Sequence, residues 1–188
     1  MPTPPKPSVD YVKQQRAKAL GVIFGANPLL AYYASARSLR MNEIMTQVRI
    51  AKIVEQDAMK RTVRDWGMPL RDWFDAGLMV TGGTDNPAVA YDQEQPFLGQ
   101  YSALTGETLA GVLVPDQQVT REEMLRMYTI NSAYACWREN QLGSIEAGKL
   151  ADLVVVDQDV LECGDGEIKD MQVLQTYVGG ELVFEKAN

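Results

Sequence analysis

One acidic residue stands where an enzyme could use it, at the end of a short apolar run. Residues 78–87 read Leu-Met-Val-Thr-Gly-Gly-Thr-Asp-Asn-Pro, so that the carboxylate of Asp85 follows an apolar segment and two glycines. A buried parallel strand that ends in an acid presents it at the strand end, where barrel enzymes place their functional groups. The same pattern is also typical of a loop aspartate that caps the next segment through an Asx turn.

The absence of histidine restricts the chemistry that this chain can perform. None of its 188 residues is a histidine, which removes the commonest general base and the commonest metal ligand together. A catalytic site must therefore use carboxylates, lysine, tyrosine, cysteine or threonine, or take groups from another polypeptide.

Three polar residues near strand ends are candidates for supporting Asp85. Thr84 and Asn86 flank it in sequence and could orient its carboxylate by hydrogen bonding, although both are also ordinary turn residues. Asn27 closes an earlier apolar run and could face a substrate, although Asn-Pro is itself a common turn.

Composition indicates a globular protein with a real core. The chain is 46% hydrophobic and 23% charged, and its formal net charge is −7. This charge argues against a nucleic-acid or anionic-membrane surface, and no apolar run approaches the ~20 residues that span a bilayer. Cys136 and Cys163 lie far apart in the sequence, which favours a reduced, cytoplasmic setting over the alternative of a single disulfide between them. We expect Cys136 to be a small buried hydrophobe.

The order of elements predicts an α/β fold. A helix over residues 9–20 ends at Gly21 and precedes a strand over 22–26. After a long helical stretch over 29–66, a second short helix over 70–76 ends at Gly77 and precedes the strand that leads to Asp85. A helix, a glycine and a buried strand, repeated, are typical of α/β proteins.

The C-terminal third has a different pattern. Thr120 and Glu123 form a capping box, and we expect the helix that it opens to continue to Trp137. Residues 151–157 and 173–184 predict three strands, the last two joined by a Gly-Gly hairpin turn. Three strands are too few to bury two faces, so they should complete a sheet whose other strands lie elsewhere.

Several motifs, taken together, resemble the C-terminal part of metal-dependent amidohydrolases of the amidohydrolase-3 group, which includes N-substituted formamide deformylase and exoenzyme-regulatory-like proteins. The resemblance covers roughly residues 9–186. The motifs are Pro69-Leu70-Arg71 with Asp75-Ala76-Gly77, Gly83-Thr84-Asp85-Asn86-Pro87, Tyr128-Thr129-Ile130-Asn131-Ser132-Ala133-Tyr134-Ala135, and Gly143-Ser144-Ile145-Glu146-Ala147-Gly148-Lys149-Leu150-Ala151-Asp152-Leu153-Val154-Val155.

The resemblance implies the C-terminal portion of a TIM barrel together with part of a small β-sandwich. Residues 21–27 and 78–85 would be barrel strands seven and eight within a partial barrel over 9–142. Residues 143–188 would supply strands to a composite β-sandwich. Residues 1–8, four of which are proline, are expected from their composition to be a flexible leader.

The resemblance also assigns a role to Asp85. At the end of strand eight, this family carries an acid that binds a divalent metal, most often zinc, and acts as general base on a water molecule. The family's histidine ligands belong to segments upstream of residue 1, so this chain would not be a competent enzyme by itself.

Three interpretations follow from the missing histidines. The chain could be a fragment of a longer enzyme, one subunit of a split amidohydrolase whose partner carries the histidines, or a non-catalytic interaction protein. An incomplete barrel exposes strand edges and apolar surface, so we expect a partner polypeptide or an oligomer. A small molecule with an amide-type C–N bond would be the substrate, and we expect neither nucleic acid nor membrane as a partner.

Overall fold

A computed structural model of the protein describes residues 9–29, 32, 69–84, 96–108, 111–112 and 115–187. The leader and nearly all of the helical stretch expected over 29–66 lie outside these residues. The described helices and strands form an α/β fold, as the sequence predicts. None of the described helices has the length and apolar character that crossing a membrane would require.

Two parallel strands organise the first half of the described fold. The elements in chain order are α1 (Val9–Ala19), β1 (Ile23–Ala26), α2 (Leu70–Asp75) and β2 (Met79–Gly82). β1 pairs in parallel with β2, with Ile23 opposite Met79 and Ala26 opposite Gly82. The apolar run before Asp85 is therefore a parallel strand rather than one arm of a hairpin.

Glycines end both helices that precede these strands. Gly21 and Gly77 have φ angles of 67° and 69°, the left-handed conformation that glycine adopts at a helix C-terminus. The predicted change from helix to strand at these glycines is confirmed.

The hydrophobic core joins β2 to the helices that follow it. These are α3 (Pro96–Thr105), α4 (Arg121–Tyr128), α5 (Ile130–Ala135) and a 3-10 helix over Asp165–Asp170. Val80, Met124, Met127 and Ile168 are completely buried in this core. β2 is thus packed against several elements, and this packing fixes the position of its C-terminal end.

The predicted capping box is present, but the helix that it opens is shorter than expected. The Glu123 N–H donates to Thr120 Oγ1 at 3.2 Å, and the Thr120 N–H donates to Glu123 Oε2 at 2.8 Å. The expectation of one continuous helix to Trp137 is wrong, because the helix is interrupted at Thr129. The Thr129 hydroxyl donates a hydrogen bond to the Leu125 carbonyl at 2.7 Å. In a continuous α-helix that carbonyl would instead accept from the Thr129 N–H.

The end of α5 carries an exposed, strained tryptophan. Trp137 is 85% exposed and has a φ of 59°. Its N–H donates to the Tyr134 carbonyl and the Arg138 N–H donates to the Ala133 carbonyl, both at 2.9 Å, which is a Schellman motif with tryptophan in the position that favours glycine. Cys136, beside it, is exposed, so the prediction of a buried cysteine is wrong.

Relieving this strain should stabilise the protein. We expect Trp137→Gly to be more stable than Trp137→Ala by about 1 kcal/mol, because only glycine adopts the left-handed conformation without a Cβ penalty. Urea denaturation of the two variants measures the difference. Both variants lose the stacking of Trp137 on Tyr134, so this loss cancels in the comparison. Equal stabilities would contradict the strain assigned to this position.

A bidentate ion pair ties α2 to α4. Arg71 donates from Nη1 and Nη2 to the two carboxylate oxygens of Glu123, each at 2.7 Å, and from Nε to Asp75 at 2.8 Å. The side chains of Arg71 and Glu123 are only 27% and 22% exposed. The hydrogen bonds from Arg71 hold the pKa of the Glu123 carboxyl below its usual range. Arg71, from the first motif of the resemblance, is thus a structural residue.

Removing the charge of Glu123 should destabilise the protein by about 1.5–3 kcal/mol at pH 7, the range for hydrogen bonds to charged groups. Because its pKa is lowered on folding, the stabilisation by Glu123 is complete above the pKa of an unfolded glutamate and is lost as the pH falls through the lower folded value. The gap between wild type and Glu123→Gln in urea denaturation should therefore be smaller at pH 3 than at pH 7. Glu122→Gln, an exposed neighbour on the same turn, is the matched control. A gap that does not change with pH would contradict the pairing.

The C-terminal strands are β5 (Leu153–Val156), β6 (Val173–Val178) and β7 (Glu181–Glu185). They form a separate antiparallel sheet in which β6 lies between β5 and β7. The turn between the last two strands is made by Gly179 and Gly180, with φ angles of 60° and 86°, as predicted for a hairpin. A second, very short hairpin pairs β3 (Glu107–Thr108) with β4 (Gly111–Val112).

Candidate active site

The carboxyl ends of β1 and β2 lie side by side. The Gly83 N–H donates to the Ala26 carbonyl at 3.0 Å, so the chain stays paired for one residue beyond β2. A Cβ on Gly83 would lie 3.1 Å from Oδ1 of Asn27, which places the side-chain oxygen of Asn27 directly against this turn. Glycine at position 83 therefore lets the Asn27 side chain approach the end of β2.

The structure describes two of the four predicted site residues, and one of them, Asn27, lies against Gly83, the residue before Thr84. Asn27 and Thr84 are both half-buried and follow the two adjacent strands. Asp85 and Asn86 lie outside the described residues. Asp85 directly follows Thr84 in the sequence, and Thr84 follows the glycine that Asn27 contacts.

An aromatic ring packs against the end of β2. The ring of Tyr128, at the end of α4, lies against Gly82, where a Cβ would be 2.5 Å from its Cε2 atom. The Tyr128 hydroxyl lies against Gly99 of α3 in the same way, at 2.6 Å from where a Cβ would be. Two glycines thus make room for one tyrosine between β2 and α3.

The Tyr128 hydroxyl is buried and has no hydrogen-bond partner among the described residues. Burial raises the pKa of this hydroxyl well above its usual value, so it stays neutral. An unpaired buried hydroxyl stabilises nothing, and we infer that the ring, which fills the space between the two glycines, is what the fold uses.

Two polar residues of α5 also contact β2. Nδ2 of Asn131, a buried side chain, donates to the Val80 carbonyl at 2.9 Å. The Ser132 hydroxyl donates to the Met127 carbonyl at 2.7 Å and lies 3.5 Å from the Gly82 carbonyl. The break at Thr129 starts the short helix from which these residues reach the strand.

The roles of Tyr128 and Asn131 were not predicted from the sequence. Both belong to the third motif of the resemblance, and that motif was the available signal. Its residue types gave no hint that they act on a strand some fifty positions earlier. In the structure the motif is a positioning device for the strand that leads to Asp85.

A metal ion does not fit the described residues by themselves. Among residues 9–29, 32, 69–84, 96–108, 111–112 and 115–187, no group of three or more histidine, cysteine, aspartate or glutamate side chains could hold one. Divalent-metal sites in hydrolases need several nitrogen, sulfur or carboxylate ligands. The described part of this chain supplies at most the surroundings of such a site.

Comparison with known proteins agrees with this arrangement. A model of the amidohydrolase family matches residues 7–184. N-substituted formamide deformylase of Arthrobacter pascens is 37% identical over 174 residues, covering 92% of this chain and 28% of the deformylase. Imidazolonepropionase of Shouchella clausii is 39% identical over 88 residues, covering 46% of this chain and 17% of that enzyme.

Solved structures share the fold at lower identity. An amidohydrolase from Thermotoga maritima superposes with a TM-score of 0.58 at 19% identity, covering 94% of this chain and 35% of that one. An uncharacterised metal-dependent hydrolase from Pyrococcus horikoshii superposes with a TM-score of 0.56 at 22% identity, covering 82% and 28%. This chain thus spans about a third or less of the length of these proteins.

Both the family match and the similarity to the deformylase extend over almost the whole chain. The chain belongs to the amidohydrolase family.

Proposed function

We propose that this chain is the C-terminal part of a metal-dependent amidohydrolase that hydrolyses C–N bonds of the amide type. The observation that carries the proposal is the parallel pair β1 and β2, whose ends bring Asn27 beside the turn that leads to Asp85. Three separate contacts hold β2 at this end, from Tyr128, Asn131 and Ser132. Such support is what a carboxylate with a defined position requires.

The proposal includes an architecture. β1 and β2 would be the last two strands of a TIM barrel, with residues 9–142 as the partial barrel and 143–188 as strands of a β-sandwich. The parallel register of β1 and β2 and the glycine at the end of each preceding helix support this arrangement. Barrel enzymes build their sites at the carboxyl ends of the strands, which is where Asp85 follows β2.

In this function Asp85 is the general base. Its ionised carboxylate takes a proton from the water molecule that attacks the carbonyl carbon of the substrate, and that proton is available to the nitrogen that leaves. The C–N bond breaks, and an acid and an amine are released. Thr84, Asn86 and Asn27 are positioned in sequence or in space to orient the carboxylate.

The complete site would also need groups that this chain lacks. We infer that a divalent metal, with zinc as the first candidate, is held by Asp85 together with histidines of another polypeptide segment. That segment is either the N-terminal remainder of a longer enzyme or a partner subunit. The lack of histidine in this chain and of a ligand cluster among its described residues supports this division.

N-substituted formamides are the first substrates to test, because their deformylase is similar to this chain over 92% of its length. Hydrolysis of such a substrate would give formate and an amine. The wider statement, that the substrate is a small molecule with an amide-type C–N bond, does not depend on this choice.

A complementation experiment tests the proposal. The Arthrobacter pascens deformylase is truncated so that it lacks the segment that matches this chain, and is co-expressed with this chain. We expect the two polypeptides to co-purify and to release formate from an N-substituted formamide, while neither alone does so. Co-purification without hydrolysis would instead favour a non-catalytic interaction subunit, a second candidate that the missing histidines also support.

A further inference from the structure

Two glutamines are buried in the described part of the chain, and they differ in their partners. Gln100 and Gln117 are each only 6% exposed. Gln117 donates from Nε2 to Oδ1 of Asp72 at 3.2 Å, and its Oε1 accepts from the Asp72 N–H at 3.3 Å. Oε1 of Gln100 is equally shielded but has no hydrogen-bond partner among the described residues. The fold therefore uses the amide of Gln117 and leaves that of Gln100 unused.

An unpaired amide is costly at a buried position. Its carbonyl oxygen loses water without gaining a hydrogen bond, whereas methionine or leucine would fill a similar volume with no polar group to satisfy. The explanation that applies to Tyr128, whose ring fills a space between two glycines, does not extend to the unbranched side chain of Gln100. A buried acceptor of this kind points to a donor that comes from outside the described residues.

Gln100 lies in the first half of α3, close to the carboxyl ends of β1 and β2. Its neighbour Gly99 packs against the backbone nitrogen of Leu29, which would be 3.4 Å from a Cβ at Gly99. Leu29 is only two residues beyond Asn27 at the end of β1. Gly99 also contacts the hydroxyl of Tyr128, the residue whose ring packs against the end of β2. The unpaired amide is thus near the end of the sheet that leads to the proposed catalytic carboxylate.

We propose that Gln100 contacts the substrate, and that its Oε1 accepts a hydrogen bond from the amide N–H of the substrate. This inference rests on the proposed function and narrows its substrate class to secondary amides, which carry one N–H. While water attacks the carbonyl carbon of such an amide, the N–H is the one donor that the amide group offers. A site that binds this N–H discriminates against a tertiary amide, because its buried acceptor is then left unpaired.

A pair of substrates tests the hydrogen bond in the complemented enzyme. N-propylformamide carries the N–H, and N-methyl-N-propylformamide has a methyl group in its place. We expect the wild-type complex to have a kcat/KM at least about tenfold higher for N-propylformamide, the effect of one hydrogen bond. Gln100→Met keeps the approximate shape of the side chain without the acceptor, so it should reduce this ratio about tenfold.

Urea denaturation of the full chain separates a substrate contact from a structural role. Because the Gln100 carbonyl has no partner to lose, Gln100→Met should leave the free energy of unfolding unchanged or raise it. Gln117→Met is the matched control, since it makes the same change at an equally buried glutamine whose amide is bonded. We expect this control to lower the free energy of unfolding and to keep the substrate ratio of the wild type.

Two results would overturn the inference: an unchanged substrate ratio in Gln100→Met, or a loss of stability as large as that of Gln117→Met. Isothermal titration of both formamides against the complex with Asp85→Asn keeps this inference distinguishable from the proposed function. Tighter binding of N-propylformamide that is lost on adding Gln100→Met would support the contact even if the wild-type complex hydrolysed neither compound. Equal binding of the two formamides would overturn the contact even if the complex were an active hydrolase.

Discussion

Gly82→Ala should destabilise the protein by about 2–3 kcal/mol, because the new methyl group would overlap the ring of Tyr128. A Cβ at this position would lie 2.5 Å from Cε2 and 2.6 Å from Cδ2 of the ring. The ring cannot easily give way, because its hydroxyl already lies against Gly99 on the far side. We also expect Gly99→Ala to lower the free energy of unfolding substantially, because its methyl group would overlap the Tyr128 hydroxyl.

A double-mutant cycle measures this coupling. Urea denaturation of wild type, Gly82→Ala, Tyr128→Leu and the double variant should show that Gly82→Ala costs about 1–2 kcal/mol less once the ring is gone. Gly25→Ala, on the neighbouring strand, is the control, because the nearest atom to its Cβ would be 3.9 Å away. If Gly82→Ala lowered the free energy of unfolding no more than Gly25→Ala does, Tyr128 would not support the end of β2.

Local signals predicted much of this fold. The two helix-ending glycines, the capping box of Thr120 and Glu123, and the Gly-Gly hairpin each depend on residues close together in sequence. For that reason each is recognisable without knowledge of the rest of the chain. The parallel pairing of β1 with β2 is a longer-range feature, and it followed from the repeated order of helix and strand.

The support around the end of β2 could not be predicted in the same way. Tyr128 fits between Gly82 and Gly99, and Asn131 bonds to Val80, through contacts between distant parts of the chain. No local pattern encodes such contacts. The break at Thr129 was missed for a related reason, because the residues on either side continue a helical pattern and only a side-chain hydrogen bond interrupts it.

The errors around Cys136 have a local cause. A helix expected to reach Trp137 would have put the cysteine on its buried face. The structure ends α5 at Ala135 and turns the chain outward through a left-handed tryptophan, which leaves Cys136 exposed. Tryptophan is an unexpected residue in that conformation, so the usual glycine signal for a helix end was absent.

Asp85→Asn should lower kcat/KM of the complemented enzyme for an N-substituted formamide by about 10²–10⁴-fold, the usual contribution of a general base. Asparagine keeps the size and the hydrogen-bonding shape of the side chain but cannot accept the proton from water. The amount of assembled complex should remain unchanged, because the change is nearly isosteric. Glu162→Gln, the same chemical change at an exposed residue, is the control.

The role of Asp85 as general base is therefore tested by the rate of formate release from complexes of equal composition that carry the wild-type chain, Asp85→Asn or Glu162→Gln. We expect the complex with Asp85→Asn to lose about 99% of the activity or more, the smallest loss usual for a general base, while the Glu162→Gln complex matches wild type. If the complex with Asp85→Asn hydrolysed the substrate at the wild-type rate, Asp85 would not be the catalytic base of the enzyme.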